Sequence, residues 1–117
     1  MSIRPAIEEI VNALILAGLD ATDDAGAFYP SPIGCLVGVP SLKSRGLATN
    51  TAEVPVHVVS SSPLDAKLRD ELFDTALRAA DALGVTEFDL SGFGGNVNQT
   101  DLPAYLLTVT VTYPRSN

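Results

Sequence analysis

The sequence predicts an α+β domain: a single, mainly antiparallel sheet of about four strands with two helices on one face, in the order α-β-β-α-β-β. Three observations carry this. Two segments place apolar residues at helical spacing and end in glycine; between and after them lie short β-branched runs bounded by Pro and Gly. The third is the C-terminal stretch "AYLLTVTVTYP", Ala104 to Pro114, where Tyr105, Leu107, Val109, Val111 and Tyr113 alternate with Leu106, Thr108, Thr110 and Thr112. A strand of that pattern has one apolar face for a core and one threonine face left for water or a partner.

The first helix runs from about Ser2 to Ala17. Ser2 is placed to cap it, and Pro5 is tolerated in a first turn, where its missing N–H has no intrahelical partner. Ile3, Ile7, Ile10, Val11 and Leu14 form its apolar stripe, and Gly18 ends it. The acids, Gly and prolines of "DATDDAGAFYPSPIG" then favour turns and extended backbone. "IGCLVGV", bounded by Pro32 and Pro40, reads as a buried strand.

The polar segment 41–52, "SLKSRGLATNTA", reads as a long inter-strand loop carrying Lys43 and Arg45. Loops of about a dozen residues usually bind something or move. The next strand is "EVPVHVVS", with Val54, Val56 and Val58 on one face and Pro55, His57 and Val59 on the other. Because proline donates no ladder hydrogen bond, Pro55 predicts an edge or a bulge there, and an edge is where another chain docks.

Ser62, Pro63 and Asp65 make a strong helix start: a capping hydroxyl, proline at the first helical position and an acid at the third. Leu64, Leu68, Leu72, Ala76, Ala79 and Leu83 continue the stripe to Gly84, with Asp65–Arg69 and Asp74–Arg78 as favourable pairs four apart. "VTEFDLSGF" alternates Val85, Glu87 and Asp89 against Thr86, Phe88 and Leu90, a third strand with a charged outer side. The Gly94-Gly95-Asn96 loop leads into the final strand.

The chain has 117 residues, 46% hydrophobic and 18% charged, the composition of one globular domain that buries roughly two-thirds of its unfolded surface. Its 14 acidic against 7 basic residues give a net charge of −7, which argues against a phosphate-attracting patch as the organising feature. Cys35, the sole cysteine, reads as a small buried hydrophobe, and no intrachain disulfide is available to it. Glu8, Glu9 and Asn12 interrupt the N-terminal apolar run at helical spacing, so it reads as an amphipathic helix of a cytosolically made protein and not as a signal or a membrane span.

Chemistry is sparsely signalled. His57, the only histidine, lies mid-strand with no nucleophile-elbow motif, so it reads as a surface or interface residue before it reads as a general base. Asp20, Asp23 and Asp24 before Gly26 lack the alternating spacing of an EF-hand, whose terminal glutamate position holds Ser31. A single Cys and a single His make no zinc site. "GFGGN" leads into a strand and so lacks the helix N-terminus that holds a phosphate. No cofactor, metal or catalytic residue is expected, and surface, edge and shape point to assembly.

In order, "LAGLDA" at the end of the first helix, "GCLVGVPSL", a long loop, "VPVHVVSS", "SPLDAKLRDELFDTALRAADALG" and "PAYLLTVTVTYP" resemble the small tail terminator proteins of long-tailed bacteriophages, particularly those of actinobacterial phages. The resemblance spans nearly the whole chain. It is one of element order, without a catalytic motif. It implies a non-enzymatic virion protein, assembled in the host cytoplasm, that forms a homohexameric ring on the head-proximal end of the tail. That ring stops tube polymerisation, meets the tail tube protein and a head-completion or connector protein, and lets DNA pass through its lumen unread, with no membrane partner. The interface candidates are then Lys43, Arg45, Pro55, His57, Thr108, Thr110 and Thr112. Another head-tail connector or tail-completion role is the neighbouring alternative; a small-molecule-binding domain or enzyme using His57 is the other class.

Overall fold

The computed structural model describes residues 3–28, 30, 32–45, 49–61, 66–93 and 102–114. Helix α1 spans Arg4–Leu16, strand β1 Ala21–Thr22, β2 Ile33–Val37, β3 Ser41–Arg45, β4 Thr49–Ser60, helix α2 Ala66–Leu83, β5 Asp89–Phe93 and β6 Leu102–Pro114. The class is α+β, but among the described residues the sheet has six strands. The spatial order is β1-β2-β4-β6-β5, and β3 also pairs with β4. The sheet is mixed, because the two-residue β1 runs parallel to β2.

Both helices pack on one face. Ile7, Ile10 and Leu14 of α1 and Leu72, Ala76 and Ala79 of α2 share a core with Cys35, Val54, Val56, Val58 and Leu107 from the sheet. That face is the valine and tyrosine side of β6, as the alternation requires. Each helix ends in a left-handed glycine, Gly18 at φ 85° and Gly84 at φ 70°. The following N–H, of Leu19 or Val85, bonds back to Leu14 or Ala80, a paired arrangement that satisfies the last carbonyls and turns an apolar side chain inward.

Arg78 donates from Nη2 to the Ala17 carbonyl at 2.5 Å, joining α2 to the end of α1 instead of forming the expected pair with Asp74. Among the described residues the helical pair four apart that forms is Lys67–Glu71, at 4.0 Å. Ser2, the segment 62–65 and the glycine loop 94–96 lie outside the described residues.

Of the segment expected to be a loop, 41–52, residues 46–48 lie outside the described residues, and the described residues 41–45 and 49–52 are strand: β3 and the first residues of β4 pair from Ser41↔Glu53 to Arg45↔Asn50, with a bulge between Leu42 and Ser44. Its polar composition hid this, because one strand of the hairpin lies at the sheet edge and needs no continuous apolar face. β5 also begins later than the alternation suggested, at Asp89, and residues 85–88 form a connector.

Pro55 is neither at an edge nor in a bulge. It lies in the central strand, where β2 has ended and β3 has not begun. Its carbonyl accepts from Gly38 N–H at 2.7 Å across that gap. The missing N–H would have pointed into the same gap, so proline costs the ladder nothing there.

Candidate assembly surface

β4 and β6 pair over eleven consecutive positions, from Thr49↔Pro114 to Val59↔Ala104, without a bulge. This ladder is the spine of the molecule, whose dimensions are 49 × 31 × 22 Å; a 13-residue strand spans about 43 Å at roughly 3.3 Å per residue. One end of the spine carries the helices. At the other, Leu42 on the helix side of β3 is 57% exposed, so β3, β4 and β6 continue there as a thinly covered antiparallel arm.

The register puts most of the sequence-derived candidates on the face away from the helices. Thr108 stands opposite Pro55, Thr110 opposite Glu53, Thr112 opposite Thr51, and Leu106 opposite His57. All three threonines are exposed. Thr51 and Thr112 approach at 3.4 Å between hydroxyl oxygens. Lys43, in the β3 bulge, reaches Glu53 at 3.8 Å, and this places its charge on the same face. Arg45 ends β3.

His57 is half-buried, and loss of solvent lowers its pKa below the ordinary histidine value. It lines a depression of about 310 Å³ with Arg4, Asp23, Gly38 and Pro40. The acid there is already engaged, since Asp23 pairs with Arg4. Asp24 accepts from Gly26 N–H at 2.9 Å to start a short 3-10 turn. Among the described residues no three His, Cys, Asp or Glu side chains converge as metal ligands, and no helix is long and apolar enough to cross a membrane. Burial and then the nearby Asp20 push the Cys35 thiol up to about 12; a thiol so protected from ionisation is a poor nucleophile at neutral pH.

The outer side of β6 was not foreseen. β5 pairs with β6 only from Leu102 to Leu106, and beyond Leu106 no described strand covers that edge. Alternate residues of an antiparallel strand direct both backbone groups the same way. Pro55 directs its carbonyl at Gly38, away from β6, so Pro55 and Thr108 form a non-hydrogen-bonded pair and the N–H and C=O of Thr108 point outward. By the same alternation those of Thr110 and Thr112 point outward too.

Along this edge runs a groove of about 520 Å³, walled by Val85, Glu87 and Asp89 on one side and by Thr108, Thr110 and Glu53 on the other. An aromatic cluster holds the wall: the Phe88 ring lies 5.3 Å from Tyr105 on β6 and 5.8 Å from Phe73 on α2. The signal for this groove was present as the acidic alternation Glu87, Asp89, which reads equally well as the outer face of a strand.

Compared with known proteins, the chain matches no protein-family profile and no curated protein.

Proposed function

We propose that this protein is a structural, non-enzymatic subunit that assembles with copies of itself into a ring, and that the ring is a bacteriophage tail terminator. It caps the head-proximal end of the tail tube, stops tube polymerisation and joins the tail to the head-completion proteins. The observation that supports this reading best is the long β4–β6 ladder, which offers an exposed threonine face and a backbone edge left open among the described residues. A monomer whose sheet served only its own core would have reason to cover or charge that edge.

Threonine suits such a face. It favours the pleated strand and keeps a hydroxyl for water or a neighbour, while avoiding the wide apolar patch that would aggregate a free subunit. The net charge of −7 suits a conduit, because acidic walls repel a passing polyanion and keep it from sticking. In this reading the ring is a homohexamer, and DNA crosses its lumen without base recognition.

The test is the solution mass across a wide concentration range, with negative-stain imaging of the concentrated sample, followed by addition to polymerising tail tube protein. A closed ring that arrests tube growth is expected. A protein that leaves tube length unchanged refutes the terminator role. The depression containing His57, Arg4 and Asp23 favours one second reading, a small-molecule site. Altered ligand binding in His57→Ala with assembly intact would support it.

A further inference from the structure

We infer that the open edge of β6 is filled by β3 of a second copy of this chain, added head to tail as a parallel strand along Thr108–Thr112. The inference rests on the ring-forming reading and names its subunit contact. Edge strands in soluble proteins are ordinarily guarded by lysine, proline or a bulge. β3 carries Lys43 and a bulge between Leu42 and Ser44, which set it against pairing with another β3, where lysine would meet lysine, but not against an acidic edge. Between Leu107 and Tyr113, β6 has no such guard: its residues are β-branched, leucine or tyrosine, and its register is unbroken. Thr108, Thr110 and Thr112 thus offer three outward N–H groups and three outward carbonyls.

Charge selects the occupant. The groove beside the edge is acidic, with Glu53, Glu87 and Asp89 in its walls. Among the described residues neither Glu87 nor Asp89 has an ion-pair partner. Only seven basic residues offset the fourteen acids, and two of the seven, Lys43 and Arg45, belong to β3. Lys43 is 63% exposed and its 3.8 Å contact with Glu53 in its own chain is partly solvated, so it is held weakly and is available for exchange. Pairing β6 with β6 would instead bring two acidic grooves together.

Geometry agrees. β3 and β6 both run antiparallel to β4 and therefore parallel to each other. Copies related by rotation about an axis along the strands keep their strand directions, so β3 of one copy meets β6 of the next in parallel. The two open edges lie on opposite sides of the same arm, a heterologous arrangement that closes into a ring where the rotation permits. The five residues of β3, bulged between Leu42 and Ser44, span four ladder positions of β4, a length that fits within the stretch from Thr108 to Thr112.

The experiment compares the wild-type chain with four variants by sedimentation velocity and negative-stain imaging, with circular dichroism as the fold control. Thr110→Pro removes an outward N–H and no bond to β4. Lys43→Glu and Glu87→Lys each place like charges across the contact, and their combination restores opposite charges. We expect assembly to weaken roughly tenfold or more in each single variant and to return in Lys43→Glu/Glu87→Lys. Rings that persist unchanged in Thr110→Pro and Lys43→Glu overturn the edge contact while leaving the ring reading standing. Open chains that depend on both sites support the edge contact and overturn the ring. A wild-type chain that stays monomeric to millimolar concentration, and gives no disulfide between Ser41→Cys and Thr110→Cys copies, overturns both. If Thr110→Pro fails to fold, the charge pair decides alone, since Lys43 and Glu87 are exposed.

Discussion

Replacing Thr110 with Asp should damage assembly far more than folding, and the structure sets the scale of each effect. Thr110 is exposed, so the new carboxylate keeps its water in the free subunit. Its directly opposed neighbour is Glu53. In such a pair the β-carbons lie about 5 Å apart. Coulomb repulsion there is roughly 0.8 kcal/mol in bulk water and about 3 kcal/mol at the higher effective strength found near a protein surface. Lys43 lies 3.8 Å from Glu53 and offsets part of this, which leaves a folding cost of about 1 kcal/mol. Leu107→Ala supplies the contrast. That side chain is fully buried in the shared core, and its truncation should cost about 2–5 kcal/mol.

At an interface the balance reverses. Strand addition at the β6 edge excludes water from the acidic groove, and a further carboxylate at Thr110 would be buried among Glu53, Glu87 and Asp89. A loss of more than about 2 kcal/mol per contact is expected, over tenfold in dissociation constant. Urea unfolding followed by sedimentation velocity separates the two effects. Thr110→Asp should unfold within about 1 kcal/mol of the wild type and fail to assemble, whereas Leu107→Ala should lose stability first. A Thr110→Asp protein that assembles normally, or that unfolds as readily as Leu107→Ala, refutes the reasoning.

Three other outcomes follow from burial. Because the Cys35 pKa rises from 9.0 to about 12 on burial, the unfolded chain ionises first. The stability this group contributes is complete below pH 9 and lost as pH climbs through about 12, and Cys35→Ala should flatten the alkaline limb of a urea midpoint series. His57 is shifted the other way by loss of solvent, so its contribution is present above about pH 6.5 and lost as pH falls below it; His57→Gln should reduce that acid-side slope. Gly34→Ala would bring a β-carbon to 3.1 Å from the Phe28 ring and 3.3 Å from the Pro30 α-carbon. Crowding of that kind costs about 1–3 kcal/mol, readable as a lower midpoint, and an unchanged midpoint would mean that the segment crossing Gly34 shifts freely.

The parts of the fold legible in the sequence are those with strong local periodicity. The stripes ending at Gly18 and Gly84, the valines of β4 and the alternation of β6 each point to one partner surface, and the helices do share one face of the sheet. The hairpin of β3 and β4 was illegible because an exposed edge strand has no apolar alternation to show. Pro55 pointed to an edge by a sound local rule, but a central strand whose neighbours change along its length also leaves a backbone position without a partner. Among the interface candidates, Pro55, His57, Thr108, Thr110 and Thr112 share a face because they fall at alternate positions of paired strands, and Lys43 joins them through the bulge. The groove wall could not be read, because Glu87 and Asp89 gain their position from a tertiary contact, that of Phe88 with Phe73 and Tyr105.

That contact bears on whether the open edge is an accident of chain length. Residues 85–93 alternate well enough to read as one strand, and a strand beginning at Val85 in the register of β5 would have continued along β6 and placed Glu87 and Val85 opposite Thr108 and Thr110 from within the same chain. Pairing instead starts only at Asp89 opposite Leu106. Val85 turns into the core through its bond to the Ala80 carbonyl at 2.9 Å, and Phe88 is drawn against two aromatic rings on the helix side. Strand-competent sequence is thereby held off the edge by burial of its own apolar residues, while Glu87 is left to line the gap. An edge kept open by packing, next to a wall that is acidic by sequence, is a surface specified for an incoming basic strand, and β3 is the described strand that carries that charge.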